Sequence, residues 1–134
     1  MSADNIALAH RWFEEVWNKG RTAAIDEMMD QSCVVHGLGD APMGPADFKA
    51  FHNSYVGAFP DVSLKVDEVV ADRDIIAIRW SGTGRHAGNA LGFDATNKQV
   101  QFRGMSFVRV HDGKIVEGWN SFDELGMMRQ LGQI

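Results

Sequence analysis

The sequence lacks most of the features that announce a chemistry. It holds one cysteine, Cys33, in 134 residues. No internal disulfide can form, which suits a reducing, cytoplasmic setting. It holds three prolines, each at a break between elements, so no Pro-rich linker, repeat or low-complexity tract divides the chain. Basic residues never cluster and the formal net charge is −5, which argues against nucleic acid as a partner. No apolar run approaches ~18 residues, so no segment reads as a membrane span. Met1–Asn5 is too polar for a signal peptide. No His-x-x-x-His or Glu-x-x-His pair occurs, so no metal site is expected. No Gly-x-Ser-x-Gly elbow occurs either. Gly82 and Gly84 mimic a phosphate-binding Gly-x-Gly, but they sit in a strand with no helix behind it.

Apolar side chains are plentiful. They make up 45% of the residues, with four Trp and eight Phe. That is enough for one core in a single domain, residues 1–134. Each aromatic residue is core first and candidate pocket wall second.

The element signals run helices first, strands after. Asn5–Lys19 carries Ile6, Ala9, Phe13, Val16 and Trp17 on one stripe, and Gly20 ends it. A short helix starts at Thr22. Cys33–His36 is a brief strand. Pro45 opens a helix to about Phe59. Ser63–Ala71 and Ile75–His86 read as strands, with Gly82 and Gly84 suited to a bend or bulge. Ala87–Asn97 is an irregular loop. Gln99–Phe122 is a hairpin turned at Asp112-Gly113, a type I′ signal. Asp123 caps a short terminal helix in which Leu125, Met128 and Leu131 recur. The order predicts an α+β fold: a curved antiparallel sheet packed by N-terminal helices, closing to a cone that serves as a ligand site.

Several short stretches then occur in one order. They are Trp17-Asn18-Lys19-Gly20, Gly44-Pro45 with Phe48, Ala58-Phe59-Pro60-Asp61, Gly84-Arg85-His86-Ala87-Gly88, Asp112-Gly113-Lys114-Ile115-Val116-Glu117, and Leu125-Gly126 with Arg129-Gln130-Leu131-Gly132. This set resembles the SnoaL-like polyketide cyclases, or ester cyclases, of the nuclear-transport-factor-2-like superfamily. The resemblance implies an α+β cone and a homodimer packed through the convex face of the sheet. It also implies a cofactor-free intramolecular aldol closure, in which a last-strand carboxylate removes a proton beside a carbonyl. Aligning the turn and the terminal Gln-Leu-Gly puts that carboxylate at Asn120 and its polar partner, a histidine in the cyclases, at Ser106. Two helix positions of the pocket fall at Trp17 and Phe51.

The departure at residue 120 matters. An amide cannot act as a general base, and general-base catalysis is worth about 10²–10⁴-fold. Asn120 therefore reads as a donor to a carbonyl or enolate oxygen, the plain alternative being a network asparagine. Strand alternation puts Val116, Gly118 and Phe122 on its face and Glu117, Trp119 and Ser121 on the other. His36 is the remaining candidate base, or else a core histidine. His86 orders the following loop or lines the rim. His10, His52 and His111 read as surface residues. Trp17, Phe51, Phe59 and Trp80 are candidate walls.

Three functions stay open. The first is a cofactor-free cyclase, isomerase or lyase on a small apolar carbonyl compound, with Asn120 polarising it and His36 as base. The second is a non-catalytic small-molecule binder or accessory protein. The third is an epoxide hydrolase, for which the central acid is missing. The Arg103, Met105, Phe107 and Trp119 face is too apolar for open solvent and predicts a homodimer.

Overall fold

The computed structural model describes residues 2–134. Helix α1 (Ser2–Arg11) runs without a break into a π-helical stretch, Trp12–Asn18, and α2 (Thr22–Met28) follows. Gly20, at φ 62°, makes the turn between them. Strand β1 (Met29–His36) leads to α3 (Pro45–Ala58), whose first residue is the proline that the sequence marks as a helix start. Four strands follow, β2 (Ser63–Asp72), β3 (Ile75–Arg85), β4 (Gln99–His111) and β5 (Lys114–Phe122), and α4 (Glu124–Gln130) closes the chain.

The five strands form one sheet in the order β1-β5-β4-β3-β2. From β2 to β5 the pairing is antiparallel. The edge strand β1 joins β5 in parallel, so the expected antiparallel sheet gains one parallel edge. A parallel neighbour needs a crossover, and the rest of the chain between β1 and β5 supplies it.

The hairpin turn has φ 49° at Asp112 and 74° at Gly113, the two positive values of the expected I′ turn. Asp123 Oδ1 accepts from the Gly126 N–H at 2.9 Å and caps α4. The bulges lie elsewhere than Gly82 and Gly84. Gly82 and Gly84 sit in regular register with β2 and β4. The register shifts instead fall between Met29 and Val34 of β1, between Val66 and Glu68 of β2 and beside Val110 of β4. Gly82 is there for close approach: a Cβ would collide with the backbone of Ser63 and Leu64. Among the described residues no helix is long and apolar enough to cross a membrane.

The helices lie against one face of the sheet. The buried cluster there includes Phe13, Phe59, Ile76, Ile78 and Phe102. A second cluster, with Val16, Ile25, Met28 and Phe48, fills the space between α2, α3 and β1. The opposite face is open: Met105 is 61% exposed, Phe107 55% and Trp119 37%.

Candidate active site

Between the helices and the concave sheet lies a cavity of about 110 Å³. That is less than the ~150 Å³ of a dry cavity that takes one benzene, so the enclosed part holds one ring at most and a larger ligand extends through the open side of the cavity. The helical side is aromatic: Trp12 and Trp17 from the π-helical stretch, and Phe48, Phe51 and Tyr55 from α3. The last three follow the helical period, which turns one face of α3 into a wall. They also pack on one another, with Phe51 and Tyr55 rings 4.7 Å apart. Phe59 and Trp80 line the same space. The expected apolar walls Trp17, Phe51, Phe59 and Trp80 are thus all brought together.

The sheet side carries the polar patch. Ser106 of β4 and Asn120 of β5 are register partners, and both face the cavity. The Ser106 hydroxyl donates to Asn120 Oδ1 at 2.7 Å. It accepts from the Trp80 indole N–H at 3.2 Å. Asn120 Nδ2 donates to the His36 carbonyl at 3.3 Å. These bonds orient the amide. Its oxygen is held by Ser106, and one N–H hydrogen is left for a ligand.

Two glycines make the patch possible. Gly104 packs under Trp80, where a Cβ would come within 2.8 Å of Phe122 Cβ as well as into the indole. Gly37, at φ 89°, turns the chain out of β1 so closely over β5 that a Cβ would strike the Asn120 backbone.

Other expected site residues fall elsewhere. His36 points its ring to the outer face, stacked on Trp119 at 5.5 Å, with Nε2 2.8 Å from Glu117 Oε2. Its backbone reaches the site and its imidazole does not, because neighbouring residues of β1 alternate sides and Val35 takes the inward place. His36 is therefore not the base for a ligand in the cavity. His86 is fully buried but lies outside the lining, so it is not a cavity contact. Its Nδ1 accepts from the Thr96 N–H at 3.0 Å and stands 3.0 Å from the Thr96 hydroxyl. It orders the loop, the other role expected of it. Val116 is displaced from the cavity face and Ile115 lines it instead. The irregularity opposite Val110 shifts the alternation by one.

His52, expected at the surface, is fully buried. It lies 2.6 Å from the Val16 carbonyl through Nε2 and packs edge-on to Trp17 at 5.0 Å. Burial pushes its pKa below the usual imidazole range. A carbonyl in the π-helical stretch needs such an outside donor, and the sequence alone does not reveal that the helix widens there. Tyr55 carries no signal in the sequence that sets it apart from the apolar stripe of α3. It is the one titratable side chain on the cavity wall among the described residues. Burial, with the Glu124 carboxylate adding to it, pushes its hydroxyl far above the usual phenol range. Tyr55 therefore keeps its proton and has an O–H free to donate. The cavity therefore offers hydrogen-bond donors and no carboxylate, imidazole or cation. Among the described residues no group of His, Cys, Asp and Glu is placed to hold a metal.

The model of the SnoaL-like polyketide cyclase family matches residues 7–131. Aklanonic acid methyl ester cyclase DnrD of Streptomyces peucetius is 40% identical over 123 residues, 89% of this chain and 85% of that protein. Among solved structures, AclR of Streptomyces galilaeus, a proposed hydroxylase, superposes with a TM-score of 0.90 at 26% identity, covering 100% of this chain and 84% of that one. A Catenulispora acidiphila protein with a ketosteroid-isomerase-like fold gives 0.77 at 12% identity, covering 95% of this chain and 93% of that one, and shows the fold alone. The match runs through every element from α1 to α4, and the chain belongs to the SnoaL-like polyketide cyclase family.

Proposed function

We propose that the protein is a cofactor-free cyclase or isomerase acting on a neutral, largely apolar carbonyl compound of the polyketide kind. Asn120 binds the carbonyl oxygen through its free N–H. The observation that carries this reading is the Trp80–Ser106–Asn120 chain of hydrogen bonds, set in an otherwise apolar cavity. A donor fixed in advance in a low-dielectric pocket gains strength as the oxygen becomes an enolate, because nothing has to reorganise around it. Charged forms of such a compound are disfavoured, since no cation lines the cavity to offset the cost of burying a carboxylate. With no carboxylate or imidazole on the wall, the departing proton goes to water or to a basic oxygen of the substrate. A homodimer through the Met105, Phe107 and Trp119 face belongs to this reading, supported by the exposure of those side chains. So does a cytoplasmic location, supported by the single buried thiol of Cys33.

Absence of a base favours one second reading, a binder that releases its ligand unchanged. Aklanonic acid methyl ester, named for the Streptomyces peucetius relative, is the first compound to assay. Turnover by the wild type that falls about 10²-fold in Asn120→Leu supports the enzyme. Saturable binding without product supports the binder.

A further inference from the structure

The cavity has a second polar end that the carbonyl site does not use. Tyr55 comes from α3, on the side opposite the sheet, and its ring meets Phe122 edge-on at 6.0 Å. Phe122 is two residues beyond Asn120 on the same cavity-facing side of β5. Two strand residues span roughly 7 Å, so the Tyr55 ring, in contact with Phe122, lies toward that end of the cavity and away from the amide. The ring is fixed between Phe51 at 4.7 Å and Phe59 at 6.4 Å, which leaves little rotamer freedom to lose on binding. No hydrogen bond joins its hydroxyl to another described residue, and only burial and Glu124 act on its ionisation. A tyrosine used merely as core would be as well served by the phenylalanines beside it; its hydroxyl adds a donor with nothing in the protein to receive it.

We propose that the Tyr55 hydroxyl is a second ligand anchor, so that the cavity selects neutral ring compounds carrying two oxygen functions at opposite edges. One oxygen is met by Asn120 with Ser106, the other by Tyr55, and the ring lies between the aromatic walls. This rests on the carbonyl site proposed above and narrows it from any apolar ketone to an oxygenated, planar one. A compound with only one oxygen leaves one of the two polar ends unsatisfied and binds more weakly.

The test uses two probes, 6-hydroxy-1-tetralone and 1-tetralone, titrated calorimetrically into wild type, Tyr55→Phe and Asn120→Leu. Wild type should bind the hydroxylated ketone about five-fold more tightly, the size of one net hydrogen bond. Tyr55→Phe should lose that preference and keep its 1-tetralone affinity, with an unchanged melting profile showing that the fold is intact. Asn120→Leu should weaken both probes alike. A preference that survives in Tyr55→Phe, or that is absent from wild type, overturns the Tyr55 anchor. An unchanged 1-tetralone affinity in Asn120→Leu overturns the carbonyl site instead, with the Tyr55 comparison still readable. Failure of wild type to bind either probe overturns both.

Discussion

The Ser106 hydroxyl donates to Asn120 Oδ1 at 2.7 Å across directly paired positions of β4 and β5. That bond decides which end of the amide a ligand meets. Removing it in Ser106→Ala leaves the Trp80 N–H and the Asn120 oxygen without their partner. Urea unfolding should show a loss of about 1–3 kcal/mol, the cost of buried groups left unpaired. Ligand affinity should fall too, since the amide is free to turn over.

Asn120→Asp puts a carboxylate where the family resemblance expects one, but in a cavity without a cation. Burial raises the pKa of such a carboxyl. The folded state then holds its proton to higher pH than the unfolded state, so stability is present at low pH and is lost as pH rises through the shifted pKa. The melting temperature relative to wild type should fall by several degrees between pH 4 and pH 8. If turnover needs only a base at this position, the same variant gains rate over that range.

Gly104→Ala tests the floor of the site. The added methyl meets Trp80 and lies 2.8 Å from Phe122 Cβ, so the indole must move off Ser106. The expected cost is about 1–3 kcal/mol from overpacking, with a shift in tryptophan emission that Gly44→Ala, in open space at φ −83°, does not reproduce.

His52 gives the fold a pH dependence of the opposite sign to that of Asn120→Asp. Burial lowers its pKa, so the unfolded chain takes up a proton first as pH falls below about 6.5. Stability therefore rises with pH across the interval from the lowered folded value to the ordinary one, and levels off above it. His52→Gln, read by melting temperature from pH 4.5 to 7.5, should flatten that part of the curve.

Much of this was legible in the residues. The hairpin turn at Asp112-Gly113, the Asp123 cap, the helix opened by Pro45 and the aromatic walls all follow from local rules that tertiary packing did not override. Asn120 and Ser106 come from the family resemblance and not from the turn, whose two-residue register alone would set Ser106 opposite Trp119; the irregularity beside Val110 makes them partners. What failed was the direction of side chains wherever the period slips. His36 sits one residue out of phase with the inward-facing Val35, and the parallel β1–β5 pairing that sets this phase depends on strands 81 residues apart. Val116 leaves the face that strict alternation predicts for a like reason, a single irregularity in the β4–β5 ladder. Tyr55 and His52 were hidden in an amphipathic helix, where period alone does not separate core from cavity.

The proposed dimer has its own check. Phe107 is 55% exposed beside Met105 and Trp119 on the outer face of the sheet. Phe107→Arg should convert a light-scattering mass of two chains to one at micromolar concentration, with the far-ultraviolet spectrum unchanged.

The central claim is that the Asn120 amide donates to a ligand carbonyl inside a largely apolar cavity. Its most direct measurement is the infrared carbonyl stretch of bound 1-tetralone, separated from the protein by carbon-13 labelling of the ketone. In wild type the band should lie below its position in an apolar solvent, and in Asn120→Leu it should return to that position. A bound ketone whose band is the same in both proteins would contradict the account.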